Sequence, residues 1–254
     1  MVTSALLPTW VDPNPAPGRT LAAKTFQRMR SDILEGRLVP GSRLRFDKLR
    51  LRYSVAFSPL REALTKLAEE GFVVLEEHRG FIVAPVSRER FIEIIRTRRE
   101  VDKLTISLSI AHGKDDWEAR VRASFAELSA GPMTSSDREM DPEWERRHRA
   151  FHASLHSGSG SPWLERLCLL LFDQTARYRW LWFKHLRGDR DVIAEHREIM
   201  EAALSRDVLA ATYLLRRHTD LLANPLLELV PAKANEQNTE PKRRLSARRK
   251  QNGP

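Results

Sequence analysis

The chain has 254 residues, with 43 Lys+Arg against 34 Asp+Glu, eight His and one Cys. That length suits one or two domains, a single Cys excludes a disulfide scaffold and any CxxC zinc or redox site, and no apolar run is long enough to span a bilayer. The net charge of +9 points to an anionic partner, and where the charge sits narrows the choice.

Residues 1–18 hold four prolines and only Asp12 as a charge, with no basic region ahead of an apolar stretch. They read as a disordered lead-in rather than a signal peptide, and the single Cys fits a reducing compartment, so a cytoplasmic protein is expected. Residues 19–86 carry +5, residues 87–230 are neutral with 23 charges of each sign, and residues 231–254 carry +5. The expected organisation is therefore a basic folded segment at 19–86, a neutral one at 87–230 and a disordered basic tail at 231–254. The tail's KRRLSARRK cluster either adds non-specific phosphate attraction or only keeps the chain solvated.

Thr20 can cap a helix over Leu21–Glu35, where Leu21, Phe26, Met29, Ile33 and Leu34 recur at helical spacing and Gly36 stops it. Pro40-Gly41 makes a turn. A short helix is expected over Phe46–Arg52 and a longer one from Ser58, as N-cap with Pro59 at N1, to Glu70. Two β-rich runs, Phe72–Leu75 and Phe81–Val86, flank EEHRG and read as a hairpin. Three helices and a two-stranded wing make a winged helix-turn-helix. In such a module the second helix of the pair enters the major groove and the wing reaches the neighbouring backbone or minor groove. Candidate DNA-binding residues are Ser58 and Arg61 at the reading end, Arg45 and Lys48 beside a phosphate, and His78, Arg79 and Gly80 at the wing tip. Arg61 is the candidate base contact, because a guanidinium matches the paired acceptors of guanine.

The stretch ILEGRLVPGSRL at 33–44, SPLREAL at 58–64, Glu70-Gly71 and RGFIV at 79–83 resemble the DNA-binding domain of the GntR family of bacterial transcription regulators. The family's patterns there are IxxGxLxPGxxL and TPVREAL. Its usual Ser-Arg pair before TP is replaced by Ala56-Phe57, so one family arginine is missing and the operator sequence is left open.

From residue 87 onward every segment has helical period. The first helix runs through Phe91, Ile95, Val101 and Leu108, the second through Trp117, Val121 and Leu128. Four more are expected at 138–157, 162–186, 192–205 and 208–227, joined by short loops into an all-α antiparallel bundle. His148 and His152 lie four apart on one helix face, with His196 and His218 on two later helices. Such a set can converge on a divalent ion, or form a hydrogen-bonded histidine row that His156 extends. Cys168, in an apolar stretch, reads as core packing.

WERRHRAFHASL at 144–155, SGSPWL at 159–164, Glu195-His196 and His218 resemble the FCD effector domain of the FadR-type subfamily, whose metal motif is DxxxH within DxxFHxxL-type sequence. DQTARYRW at 173–180 resembles the branch that includes the glutarate-catabolism repressor. The resemblance implies that His152, His196 and His218 are metal ligands, with His148 in place of the family's aspartate. It also implies a bound zinc, or nickel or manganese, and a small carboxylate effector completing the coordination. Arg98 and Arg177 are the candidate effector clamps, or alternatively salt-bridge partners. The resulting expectation is a homodimeric repressor on a palindromic double-stranded operator, released by a small organic acid, with no membrane partner. A metal-dependent helical-bundle enzyme acting on a small acid is the alternative, though no HExxH or repeated ExxH pair is present.

Overall fold

The computed structural model describes residues 20–134, 139–185 and 190–232; the lead-in and most of the basic tail lie outside them. The described residues are mainly helical. Helices α1 (Leu21–Leu34), α2 (Phe46–Tyr53) and α3 (Phe57–Glu69) precede strands β1 (Val73–Glu76) and β2 (Gly80–Val83). Then follow α4 (Arg88–His112), α5 (Asp115–Ser129), α6 (Pro142–His156), α7 (Pro162–Trp182), α8 (Val192–Leu204) and α9 (Val208–Leu229). This is the expected winged helix-turn-helix followed by an all-α bundle.

Most helix starts are written in short polar side chains that take up orphan backbone N–H groups. Thr20 Oγ1 accepts from the Ala23 amide at 3.1 Å, Ser87 caps α4, Asp141 and Ser161 cap α6 and α7 ahead of a proline, and Asp191 and Asp207 cap α8 and α9. The start of α3 corrects the sequence reading. Its N-cap is Ala56, with no side-chain cap bond, and Ser58 lies inside the first turn. The cause is tertiary: the Phe57 ring stacks on Phe46 at 4.6 Å between centroids, which draws Phe57 into the helix.

Strand β1 is shifted by one residue from the run that suggested it, and β2 is shorter than its run. They pair antiparallel with Val73 opposite Val83 and Glu76 opposite Gly80, and His78 and Gly80 take positive φ of 62° and 75° in the turn. The segment after the Pro40-Gly41 turn lies along β2, since the Leu44 amide donates to the Phe81 carbonyl at 2.8 Å. The N-terminal core gathers Met29, Ile33, Leu60, Leu64, Leu67, Phe72 and Val83, and it includes Ala176 from α7. In the bundle α4 packs on α7 and α9, and α5 on α6 and α8. Trp117, Val121, Phe151, Ile199 and Leu215 fill one core there, and Phe91, Tyr178, Leu222 and Leu226 another.

Candidate functional site

On the N-terminal domain, Ser58 and Arg61 are exposed on the first turns of α3, and Lys48 is exposed on α2. Neither Arg61 nor Lys48 is held by an ion pair among the described residues, so both cations are available to an incoming polyanion. Arg45, the N-cap of α2, meets Asp47 at 3.3 Å with both side chains in solvent. Arg79 at the wing tip meets Glu76 at 3.2 Å in the same way. Exposed pairs of this kind contribute little and exchange readily for phosphate. The wing tip also carries Glu76 and Glu77 beside His78 and Gly80, so its carboxylates outnumber its one arginine.

In the bundle, His148 and His152 from α6, His196 from α8 and His218 from α9 converge. All four are buried, and one nitrogen from each lies within 4.8 Å of the others. His152 Nε2 is 3.1 Å from His148 Nε2 and 3.2 Å from His196 Nε2. Those separations approach the edge of a tetrahedron of imidazoles around zinc, roughly 3.3 Å for Zn–N bonds near 2.0 Å. Burial, reinforced by the neighbouring arginines and by the other imidazoles, holds His148, His152 and His196 well below the usual histidine range. Burial lowers His218 too, against the opposing pull of Glu195. Neutral imidazole is the form a metal binds.

The hydrogen bonds behind the rings aim them. A carbonyl only accepts, so the Nδ1–H of His196 donates to Val192 O at 2.6 Å and leaves Nε2 as the free lone pair. His218 Nδ1 donates to Glu195 Oε2 at 2.7 Å, and Arg190 grips the same carboxylate. Burial alone would raise Glu195, but the bonds from His218 and Arg190 bring its carboxyl down to about 2. A carboxylate behind a ligating imidazole is the usual support of a metal site. Donor type, protonation, spacing and this support all fit a divalent first-row ion of the kind imidazole suits.

Of the two candidate clamps, the structure brings Arg98 to the histidines and not Arg177. Arg98 is buried on α4, bonds Asp102 at 3.1 Å and lies 5.1 Å over the Phe172 ring, which itself packs against His148 and His152. Arg177 donates to the Ala84 carbonyl at the junction with the N-terminal domain. Arg179 is what reaches the histidines: it lies 5.3 Å from the Phe172 ring centroid and is ion-paired with buried Glu145. Residues two positions apart on a helix point about 200° apart, so Arg177 and Arg179 face different neighbours. The Nε of Arg179 has no hydrogen-bond partner although buried. The surface groove lined by Ser87, Arg90, Glu93, Ile94 and Leu171 contains none of these residues.

Comparison with known proteins gives concordant matches. The family described as bacterial regulatory proteins, gntR family, matches residues 21–83, and the FCD domain matches residues 93–221. The HTH-type transcriptional regulator BphR of Paraburkholderia xenovorans is 38% identical over 220 residues, covering 84% of this chain and 89% of its own. The HTH-type transcriptional repressor GlaR of Escherichia coli is 34% identical over 197 residues, covering 76% and 90%. The solved structure of Escherichia coli McbR/YncC superposes with a TM-score of 0.69 at 18% identity, over 84% of this chain and 99% of that one, a likeness of fold.

Proposed function

The chain belongs to the gntR family of bacterial regulatory proteins and carries an FCD domain, and from that premise we propose that it is a homodimeric repressor whose hold on a palindromic operator is released by a small carboxylate bound beside a metal. DNA-binding transcription regulation, rather than the enzymatic reading of the histidines, follows from the family and its relatives. The observation that carries the finer reading is the convergence of four neutral histidines with two buried arginines inside the bundle. Four neutral ligands leave the two positive charges of a bound divalent ion uncompensated, and a carboxylate supplies one of the two negative charges missing, a dicarboxylate both. Arg98 is assigned to clamp it, supported by its burial beside Phe172, and the unpartnered Nε–H of Arg179 is a second donor.

Homodimerisation is supported by the exposed Leu104 of α4 and the exposed Trp163 and Leu167 of α7. Leu104 and Leu167 flank the Cys168–Thr105 contact where the two helices meet. Two copies joined there would present two α3 helices to successive half-sites, and an effector acts by preferring one spacing of the pair over another. On DNA, Arg61 and Ser58 are assigned to base edges, and Lys48, Arg45, Arg79, His78 and Gly80 to the backbone.

The test is a gel shift on the DNA upstream of the gene, with zinc-loaded protein and a panel of small mono- and dicarboxylates. A specific shift that one carboxylate abolishes, and that no longer responds in Arg98→Ala, supports the reading. A shift that no carboxylate alters overturns the effector assignment while leaving operator binding standing.

A further inference from the structure

One turn beyond His152 on α6, a second set of donors converges that the four-histidine cluster does not use. Asp102 of α4, His156 of α6 and Cys168 of α7 each offer one atom, all within 4.8 Å of one another, and all three residues are buried. His156 Nε2 stands 3.7 Å from Asp102 Oδ1. A hydrogen bond needs about 2.7–3.2 Å. A nitrogen and a carboxylate oxygen on a tetrahedral zinc lie roughly 3.3–3.5 Å apart for bonds of about 2.0–2.2 Å, which this pair reaches by closing a few tenths of an ångström. Both atoms are otherwise without a hydrogen-bond partner, an unfavourable arrangement for buried groups when nothing fills it. From this geometry we propose that Asp102, His156 and Cys168 form a second metal site, selective for zinc.

The surroundings are those of a held site rather than a chance gathering. Asp102 is oriented by Arg98, which bonds its other oxygen, Oδ2, at 3.1 Å and leaves Oδ1 facing the cluster. The end of α6 is pinned by Ser109, whose hydroxyl donates to the His156 carbonyl at 2.8 Å. The Cys168 thiol points at Thr105 Oγ1, 3.3 Å away on α4. Burial raises the thiol, so without a cation it stays protonated. On metal binding the S–H bond breaks, its proton leaves to solvent and the sulfur lone pair forms the S–metal bond, with no change of oxidation state. Burial also lowers His156 and keeps it neutral, ready to ligate.

Charge separates the two sites by task. The carboxylate and thiolate together cancel the charge of a zinc ion, so this second site needs no anion from outside. It ties α4, α6 and α7 together. The four-histidine site contributes no charge of its own and is the one left to respond to an anionic ligand. A thiolate also biases the second site towards zinc and away from magnesium or manganese. The two lie about 6 Å apart along α6, four residues at 1.5 Å each, with Arg98 positioned to act on both.

The test uses the full chain, stripped of metal and titrated with cobalt(II). The expected result is a near-ultraviolet sulfur-to-cobalt charge-transfer band, retained in His152→Ala and His196→Ala and lost in Cys168→Ser, which keeps a hydroxyl facing Thr105. Zinc content should fall from two ions per chain to one in Cys168→Ser, and likewise in His196→Ala. The unsubstituted protein alone decides the matter: no sulfur-to-cobalt band at two equivalents of cobalt overturns the site. Failure of the four-histidine reading would instead appear as a band with a single ion per chain that His196→Ala does not change.

Discussion

The guanidinium of Arg30, on α1 of the N-terminal domain, is ion-paired with the carboxylate of Asp173 on α7 of the helical domain. Arg149 of α6 holds the same carboxylate through two bonds, of 2.8 and 3.1 Å. Next along α7, Gln174 Nε2 donates to the Glu70 carbonyl at 2.8 Å, and Arg177 donates to Ala84. One face of α7 therefore grips the DNA-binding domain. Phe172 and Arg179, seven residues apart on a different stripe of the same helix, pack on the histidines and on Glu145. A small rotation of α7 would be felt at both ends, which would give the proposed effector a physical route to the DNA-binding domain.

Asp173→Ala should cost far more than Arg30→Met. Burial opposes the Asp173 charge, but Arg30 and Arg149 overcome it and hold the carboxyl low. Removing the shared anion strands the largely buried Arg30 and the partly exposed Arg149, and breaking a buried pair costs at most about 3–5 kcal/mol. Removing Arg30 leaves Asp173 with Arg149. Denaturant unfolding of both variants measures the difference, and equal destabilisation would remove Asp173 from the role of shared counter-ion.

Arg61→Ala should relax discrimination between operator and non-operator DNA, losing about 1–3 kcal/mol at the base pair it contacts. Lys48→Ala should weaken all sequences alike and reduce the slope of log affinity against log salt by about 1. Competition binding at several salt concentrations separates the two. The same sequence dependence in both variants would reassign Arg61 to the backbone.

Local signals were legible where the chain makes its own case. Thr20 caps α1 as its position before an apolar stripe predicts, and the periodic run of six later helices gives the bundle. Reading failed where a distant neighbour decides. Ser58-Pro59 looks like a helix start, yet the stacking of Phe57 on Phe46 sets it earlier. Arg177 and Arg179 look equivalent in the sequence, and only the side of α7 that meets the histidines distinguishes them. Glu195 sits beside His196 in the chain but serves His218 on the next helix. The gathering of Asp102, His156 and Cys168 spans three helices and has no spacing to betray it.

Glu195→Gln should lower metal affinity at the four-histidine site about 10–100-fold without touching a ligand, because it weakens the acceptor that orients His218. His152→Ala should abolish that site. Saturating zinc at a hundred times its dissociation constant adds about 2.7 kcal/mol to stability, so thermal melts with and without zinc should show a reduced shift in Glu195→Gln. An unchanged affinity in Glu195→Gln would show that the carboxylate plays no part in holding the imidazole.

Acid should weaken the N-terminal domain through Asp32. This buried carboxylate joins α1 to α2, accepting from the Tyr53 hydroxyl at 2.6 Å and from Arg52 at 2.7 Å, and it also receives Arg37 at 2.6 Å. Burial pushes its carboxyl up, but the bonds from Tyr53 and Arg37 and the charge of Arg52 together hold it below the ordinary aspartate value. A folded value below the unfolded one means that the unfolded chain binds the proton more readily, so the contribution is complete above about pH 3.9 and is lost as pH falls through the lower folded value. Asp32→Asn keeps the shape but removes the charge, costing about 1–3 kcal/mol at neutral pH. The gap in stability between the unsubstituted protein and Asp32→Asn should therefore stay constant from pH 7 to about 5 and narrow as pH falls below about 3.9. Denaturant titrations across that range measure it, and a gap that widened on acidification would mean that the carboxylate is not charged in the folded domain.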